Sequence, residues 1–170
     1  MNGFQYSLIR KLTIDDYTEN FDCGSYSLNE FLQRYALINQ KAGGAQTYVC
    51  CKDKQIVAFY SLAVGSVEPQ RAPARVMKGL ARHPVPVVIL ARLAVDKIHQ
   101  KKGLGRALLK DALLRTVQAA DIVGIRALLV HAKNDETRQW YLQWEFEHSP
   151  TDPYHLFLLL KDLKAIVQKT

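Results

Sequence analysis

The chain has 170 residues, of which 48% are apolar and 23% charged. That balance excludes a disordered polymer and fits one domain, residues 1–170, large enough to bury a continuous core. No segment approaches the run of about 20 apolar residues that a membrane span needs. The opening MNGFQYSLIRK has neither the apolar stretch nor the small-residue cleavage site of a secretory signal, so a cytoplasmic protein is expected.

The formal net charge is +7, with a pI near 9.4, an excess suited to nucleic acid or a phosphate-rich cofactor. Between Pro69 and Pro86 there is no acidic residue, yet Arg71, Arg75, Lys78, Arg82 and His83 all occur. A second basic group follows: Lys97, Lys101, Lys102, Arg106 and Lys110. These are either two solvated faces or a surface for a polyanion, and the clustering favours the second. Cys23, Cys50 and Cys51 are odd in number, and strand neighbours face opposite ways, so reduced buried thiols are expected. No Cys/His spacing fits a zinc site, and no metal is expected.

In chain order, QYSLIRKL (5–12) reads as a strand and FDCGSYSL as a turn. Ser27 and Glu30 have the spacing of a capping box, and Leu28, Phe31, Leu32, Tyr35 and Ala36 mark one apolar helix face that Gly43-Gly44 ends. QTYVCC (46–51) and IVAFYSLAVGSV (56–67) read as a hairpin joined through KDKQ, followed by a long proline-bearing loop. VPVVILARLAV (85–95) is a near-continuous apolar run, as in a strand covered on both faces. A helix from about Leu104 to Ala120 carries Leu109, Leu113, Val117 and Ala120 on one face. Then come a strand at 127–132, a helix from about Asp135 to Trp144, and strands around Phe146 and at 155–160. The order β, α, ββ, β, α, β, α, ββ defines an α/β (α+β) layered fold with a mixed central sheet.

Chemistry concentrates where strand 85–95 meets helix 104–120. Gln100-Lys101-Lys102-Gly103-Leu104-Gly105 is a turn whose glycines permit close backbone approach, and it opens a helix whose first N–H groups lack partners. A pyrophosphate can sit on such a terminus, and Lys101, Lys102 and Arg106 add positive charge; the alternative is that the glycines serve only tight strand–helix packing. The turn lacks the third glycine of a dinucleotide fingerprint and the Gly-Lys-Ser/Thr of a P-loop.

Gln-x-x-Gly-x-Gly after a central strand, with this element order, resembles the GNAT N-acetyltransferases over essentially the whole chain. FDCG (21–24) with Leu28-Asn29 and Phe31-Leu32, ARLAVD (91–96), and Trp140-Tyr141 before Ser149-Pro150 resemble the GNAT toxins of bacterial toxin–antitoxin pairs, the TacT-like group. The resemblance implies a mixed sheet with helices on both faces and acetyl-CoA as co-substrate. It implies that Leu93, Ala94 and Val95 line the pantetheine and that the backbone of Gln100, Lys101, Lys102, Gly103, Leu104, Gly105 and Arg106 holds the pyrophosphate. By the same likeness Asn134 contacts the CoA arm and Tyr141 is the general acid. The implied reaction is acetylation of the α-amino group of aminoacyl-tRNA, which stops translation. The implied partners are a ribbon-helix-helix antitoxin and a second copy of the chain.

Arg71, Arg75, Lys78, Arg82 and Arg92 are the candidate tRNA contacts, with Arg10-Lys11 beside them; Arg92 faces either the cofactor cleft or RNA. His131, in an apolar strand, reads as a satisfied core histidine, and His99 flanks the loop. Two positions depart from the family: Lys101 and Glu145 stand where glycine is common. If the second needs a positive φ, glutamate there costs roughly 1 kcal/mol. The alternatives are a small-molecule or protein N-terminal N-acetyltransferase, and a non-catalytic acyl-CoA-binding regulatory subunit.

Overall fold

The computed structural model describes residues 5–169. The strands are β1 (Arg10–Lys11), β2 (Gln46–Lys52), β3 (Gln55–Val67), β4 (Val85–Val95), β5 (Ala127–His131), β6 (Glu147–His148) and β7 (His155–Leu159). The α-helices are α1 (Tyr26–Glu30), α2 (Ala36–Lys41), α3 (Ala74–Met77), α4 (Leu104–Ala120), α5 (Asp135–Leu142) and α6 (Leu160–Gln168). They form a mixed seven-stranded sheet in the order β1-β2-β3-β4-β5-β7-β6, with β4 and β5 parallel. Two compact units share it: residues up to Ala63 with Ala91–Ala112, and Val64–Leu90 with Leu113 onward.

In the first unit β2 and β3 pair antiparallel around a two-residue turn, Asp53-Lys54, both with positive φ (51° and 69°). The core gathers Leu12, Phe21, Phe31, Leu32, Val49, Ile56, Phe59 and Ala94. Phe59 meets the edge of Phe21 at 5.4 Å and stacks on Phe31 at 6.2 Å. Cys50 and Cys51 are buried thiols and Cys23 a half-buried one, all outside any disulfide.

Expected strand 5–12 shrinks to Arg10–Lys11. The regular ladder is lost at Ser7: its N–H donates to the Cys51 carbonyl at 2.7 Å, but its hydroxyl takes the Cys51 N–H at 2.9 Å in place of a backbone carbonyl, where β2 shifts register. Next, the helix begins two residues earlier than the Ser27–Glu30 pair suggests. Ser25 is its N-cap, accepting from the Leu28 N–H, while Glu30 takes the Tyr26 hydroxyl at 2.9 Å. Between α1 and α2 the residues Phe31–Tyr35 wind as a π-helix. Its wider turn moves Tyr35 off the apolar face to 49% exposure, although Phe31, Leu32 and Ala36 stay buried.

The second unit packs Ala72, Val76, Val85, Val87, Ala127, Leu129, Phe157 and Leu159 into its own core. The proline-bearing loop contains a 3-10 turn (Pro69–Arg71) and α3, whose Val76 is fully buried. Trp144 lies beyond the end of α5, and the strand near Phe146 is only Glu147–His148. The apolar run HLFLLL stops being strand at Leu159, and α6 follows, burying Leu163. Leu160, Leu163, Ile166 and Val167 already carry a helical spacing in the sequence, which the strand reading overran.

Lys101 (φ 62°) and Glu145 (φ 66°) sit in the left-handed region that side chains other than glycine resist. Glu145→Gly should relieve up to about 1 kcal/mol and raise the Tm by roughly 2–4 °C, read by thermal denaturation.

Candidate active site

The first unit carries the cofactor loop. β4 ends in Leu93 and Val95, both half-buried, with Ala94 turned into the core. Gln100 to Gly103 form an exposed turn that opens directly on the 17 residues of α4. Gly103 has φ +85°, with nothing within 4 Å of an added Cβ. Backbone conformation, not space, therefore demands glycine there. Lys101, Lys102 and Arg106 are exposed around this turn, as a pyrophosphate requires. The Gln100 side chain donates to the Val95 carbonyl at 2.9 Å and ties the turn back to its strand. These residues fit acetyl-CoA: the N–H groups of a helix start, cations around them, and a strand end whose Leu93 and Val95 are only half-buried.

Arg92 sits flat on Phe31, its guanidinium carbon 3.6 Å from the ring centroid, and burial lowers its pKa. Arg10, although exposed, binds both oxygens of Asp16, at 2.9 and 2.7 Å, so its charge is already paired. His99 Nδ1 and the Tyr6 hydroxyl share a hydrogen bond at 2.8 Å, and desolvation lowers the His99 pKa.

The second unit carries the aromatic segment of α5. Tyr141 is 4% exposed and packs edge-on against Trp140 (4.9 Å) and Phe146 (5.5 Å). Burial raises its pKa well above the usual phenol range, so it stays protonated throughout the physiological range. Asn134 is the N-cap of α5, its side-chain oxygen accepting the Thr137 N–H at 2.8 Å.

The same unit carries the basic loop, and its backbone is held by residues that sequence reasoning gave no part to play. Arg126 donates to the carbonyls of Val76 and Lys78, each at 2.7 Å, and of Arg75 at 3.4 Å. The buried Ser149 hydroxyl donates to the Arg71 carbonyl at 2.5 Å. A lone arginine before a strand has no sequence signature, whereas Ser149 was visible only as part of a family motif. Arg75 pairs with both oxygens of Asp162, at 2.8 and 3.2 Å. Arg71, Lys78 and Arg82 are exposed.

His131 is not a core residue; it is exposed at the end of β5 and stacks on His155, ring centroids 4.1 Å apart. Among the described residues no group of three or more His, Cys, Asp or Glu could hold a metal ion. No helix there is long and apolar enough to cross a membrane.

A glycine turn between β4 and α4 and a mixed sheet with this strand order are the features expected of an N-acetyltransferase fold. The acetyltransferase (GNAT) domain family matches residues 43–148, and the chain belongs to that family. It is 48% identical over 162 residues to the "tRNA-acetylating toxin" of Mycobacterium tuberculosis, covering 95% of this chain and 97% of that one. It also resembles AtaT complexed with acetyl-methionyl-tRNAfMet (26% identity, 95% of this chain, 98% of that one, TM-score 0.87). A mutant AtaT bound to the C-terminus of the antitoxin AtaR and acetyl-CoA is similar at 25% identity, with coverage of 96% and 98% and a TM-score of 0.81.

Desolvation, then the neighbouring His155, lower the pKa of His131 below its ordinary 6.5. The unfolded chain therefore takes up a proton near pH 6.5 that the folded one refuses, and stability falls as pH drops through that value. Urea midpoints at neutral and mildly acidic pH should show this loss, and His131→Gln should flatten it.

Proposed function

We propose that the whole chain, residues 1–170, acts as one acetyltransferase domain. It moves the acetyl group of acetyl-CoA to the α-amino group of aminoacyl-tRNA and so arrests translation as a toxin. The observation that carries this reading is the 48% identity, over 95% of the chain, to a tRNA-acetylating toxin.

Acetyl-CoA supplies an acetyl group activated as a thioester. In this reading the backbone of Leu93, Ala94 and Val95 runs beside the pantetheine, and Gln100 to Arg106 hold the pyrophosphate. Asn134 steadies the CoA arm with the part of its amide that does not cap α5. An α-amino group titrates near pH ~8, so a useful fraction is neutral without a strong base. The proton the amine must lose is the one the departing sulfur must gain. Tyr141, kept protonated by its burial, passes it across, giving its own to sulfur and regaining one from nitrogen.

Arg71, Lys78, Arg82 and Arg92 meet the tRNA backbone, with Arg75 contributing its still exposed edge. A ribbon-helix-helix antitoxin and a homodimer complete the proposal, with action in the cytoplasm. AtaT complexes with tRNA and with an antitoxin support it by analogy.

The test is labelled acetyl-CoA with charged tRNA, uncharged tRNA, spermidine and peptides. Label should enter charged tRNA alone and fall about 10²–10⁴-fold in Tyr141→Phe. Label on spermidine or peptide but not on charged tRNA would overturn the substrate assignment. KM for charged tRNA should rise steeply with salt, and Arg82→Gln should lower the log–log slope by about 1.

A further inference from the structure

The FDCG segment and Asn29 lie outside the cofactor loop, yet their polar groups converge on its first residues. Asp96 closes β4 and is only 7% exposed. One of its carboxylate oxygens accepts the Asp22 N–H at 3.0 Å, the other the Ile98 N–H at 2.9 Å. Its own N–H donates to the Val57 carbonyl of β3 at 2.8 Å. Next along the chain, the Lys97 N–H donates to the Asp22 carbonyl at 2.8 Å, and its ammonium lies 3.0 Å from the Asp22 carboxylate.

The clamp is itself braced. The Asp22 carboxylate accepts the Gly24 N–H at 2.9 Å and the Asn29 amide at 3.0 Å, while the Asn29 oxygen accepts the Cys23 N–H at 2.9 Å. Gly24 has φ +92°, the backbone state that turns its N–H back to Asp22. Those donors, with Lys97, bring the Asp22 pKa down to about 2, so the carboxylate is charged at any working pH.

We propose that Asp22, Asn29 and Asp96 are positioning residues for acetyl-CoA: they lock Asp96 to Ile98, and so fix in advance the aim of the N–H groups in the turn that follows. The inference rests on the reading of that turn as the pyrophosphate site. A loop of exposed residues with a left-handed lysine at Lys101 otherwise loses conformational freedom on binding, and a fixed upstream end reduces that loss. None of the three residues needs to touch the cofactor.

The experiment is calorimetric titration of the full chain with acetyl-CoA, with no acceptor present, beside steady-state kinetics. In Asn29→Asp two carboxylates face each other across a former hydrogen bond. Kd and KM for acetyl-CoA should rise roughly tenfold, while kcat at saturating acetyl-CoA and KM for charged tRNA stay within about twofold. Asp22→Asn, which keeps the one oxygen that accepts both the Gly24 N–H and the Asn29 amide, should raise Kd less than Asn29→Asp does. A lowered Tm with unchanged Kd for acetyl-CoA overturns the proposal, as does a fall confined to kcat. Should Asn29→Asp fail to fold, Asp22→Asn is read on the same scale. Because Kd is measured without acceptor, the result is independent of whether charged tRNA proves to be the substrate.

Discussion

A buried carboxylate organises the functional half of the first unit. Desolvating a charge is costly unless polar partners replace the lost water, and Asp96 has two backbone N–H groups, from Asp22 and Ile98, in that role. Those bonds fix where β4 stops and the glycine turn starts. The turn in turn sets the first residues of α4. Apolar packing holds the other side: Ala94, next but one before Asp96, belongs to the same core as Phe21 and Phe59. A hydrophobic anchor and a polar one thus lie two residues apart, at and just past the end of β4, and the glycine turn follows both.

The two units use different physics for their tasks. In the first, what the glycine turn presents depends on main-chain conformation, with Gly103 and Lys101 both at positive φ. In the second, Tyr141 depends on exclusion of water. Its aromatic surroundings, Trp140 and Phe146, disfavour the phenolate and keep the hydroxyl a donor. A polar neighbour in place of either ring would bring the phenol back toward ordinary acidity.

Much of the fold was legible because its main elements are strongly patterned. The apolar run 85–95 and helix 104–120 are where the sequence puts them, since continuous burial and a clean helical period leave few alternatives. The glycine turn between them was legible as a turn for the same reason: Gly103, at φ +85°, sits where the strand hands over to the helix. What escaped was decided by long-range partners. Ser7 breaks a strand by bonding across 44 residues to Cys51, and Arg126 reaches back about 50 residues to the loop at 75–78. His131 looked buried because its strand is apolar, but it stands where that strand runs out. The π-helical turn moved Tyr35 outward in a way no fixed period anticipates. The positive φ of Glu145 was legible only as a missing glycine.

The backbone of the basic loop is gripped through its main-chain oxygens. Arg126 and Ser149 bond the carbonyls of Arg71, Arg75, Val76 and Lys78, atoms present whatever side chain each position carries. Ala72, Val76 and Met77 add apolar side chains to the core, and Arg75 is held by Asp162. The exposed side chains of Arg71, Lys78 and Arg82 take no part in that grip. Point substitution at those three places can therefore rewrite the charge of the face while the framework stands.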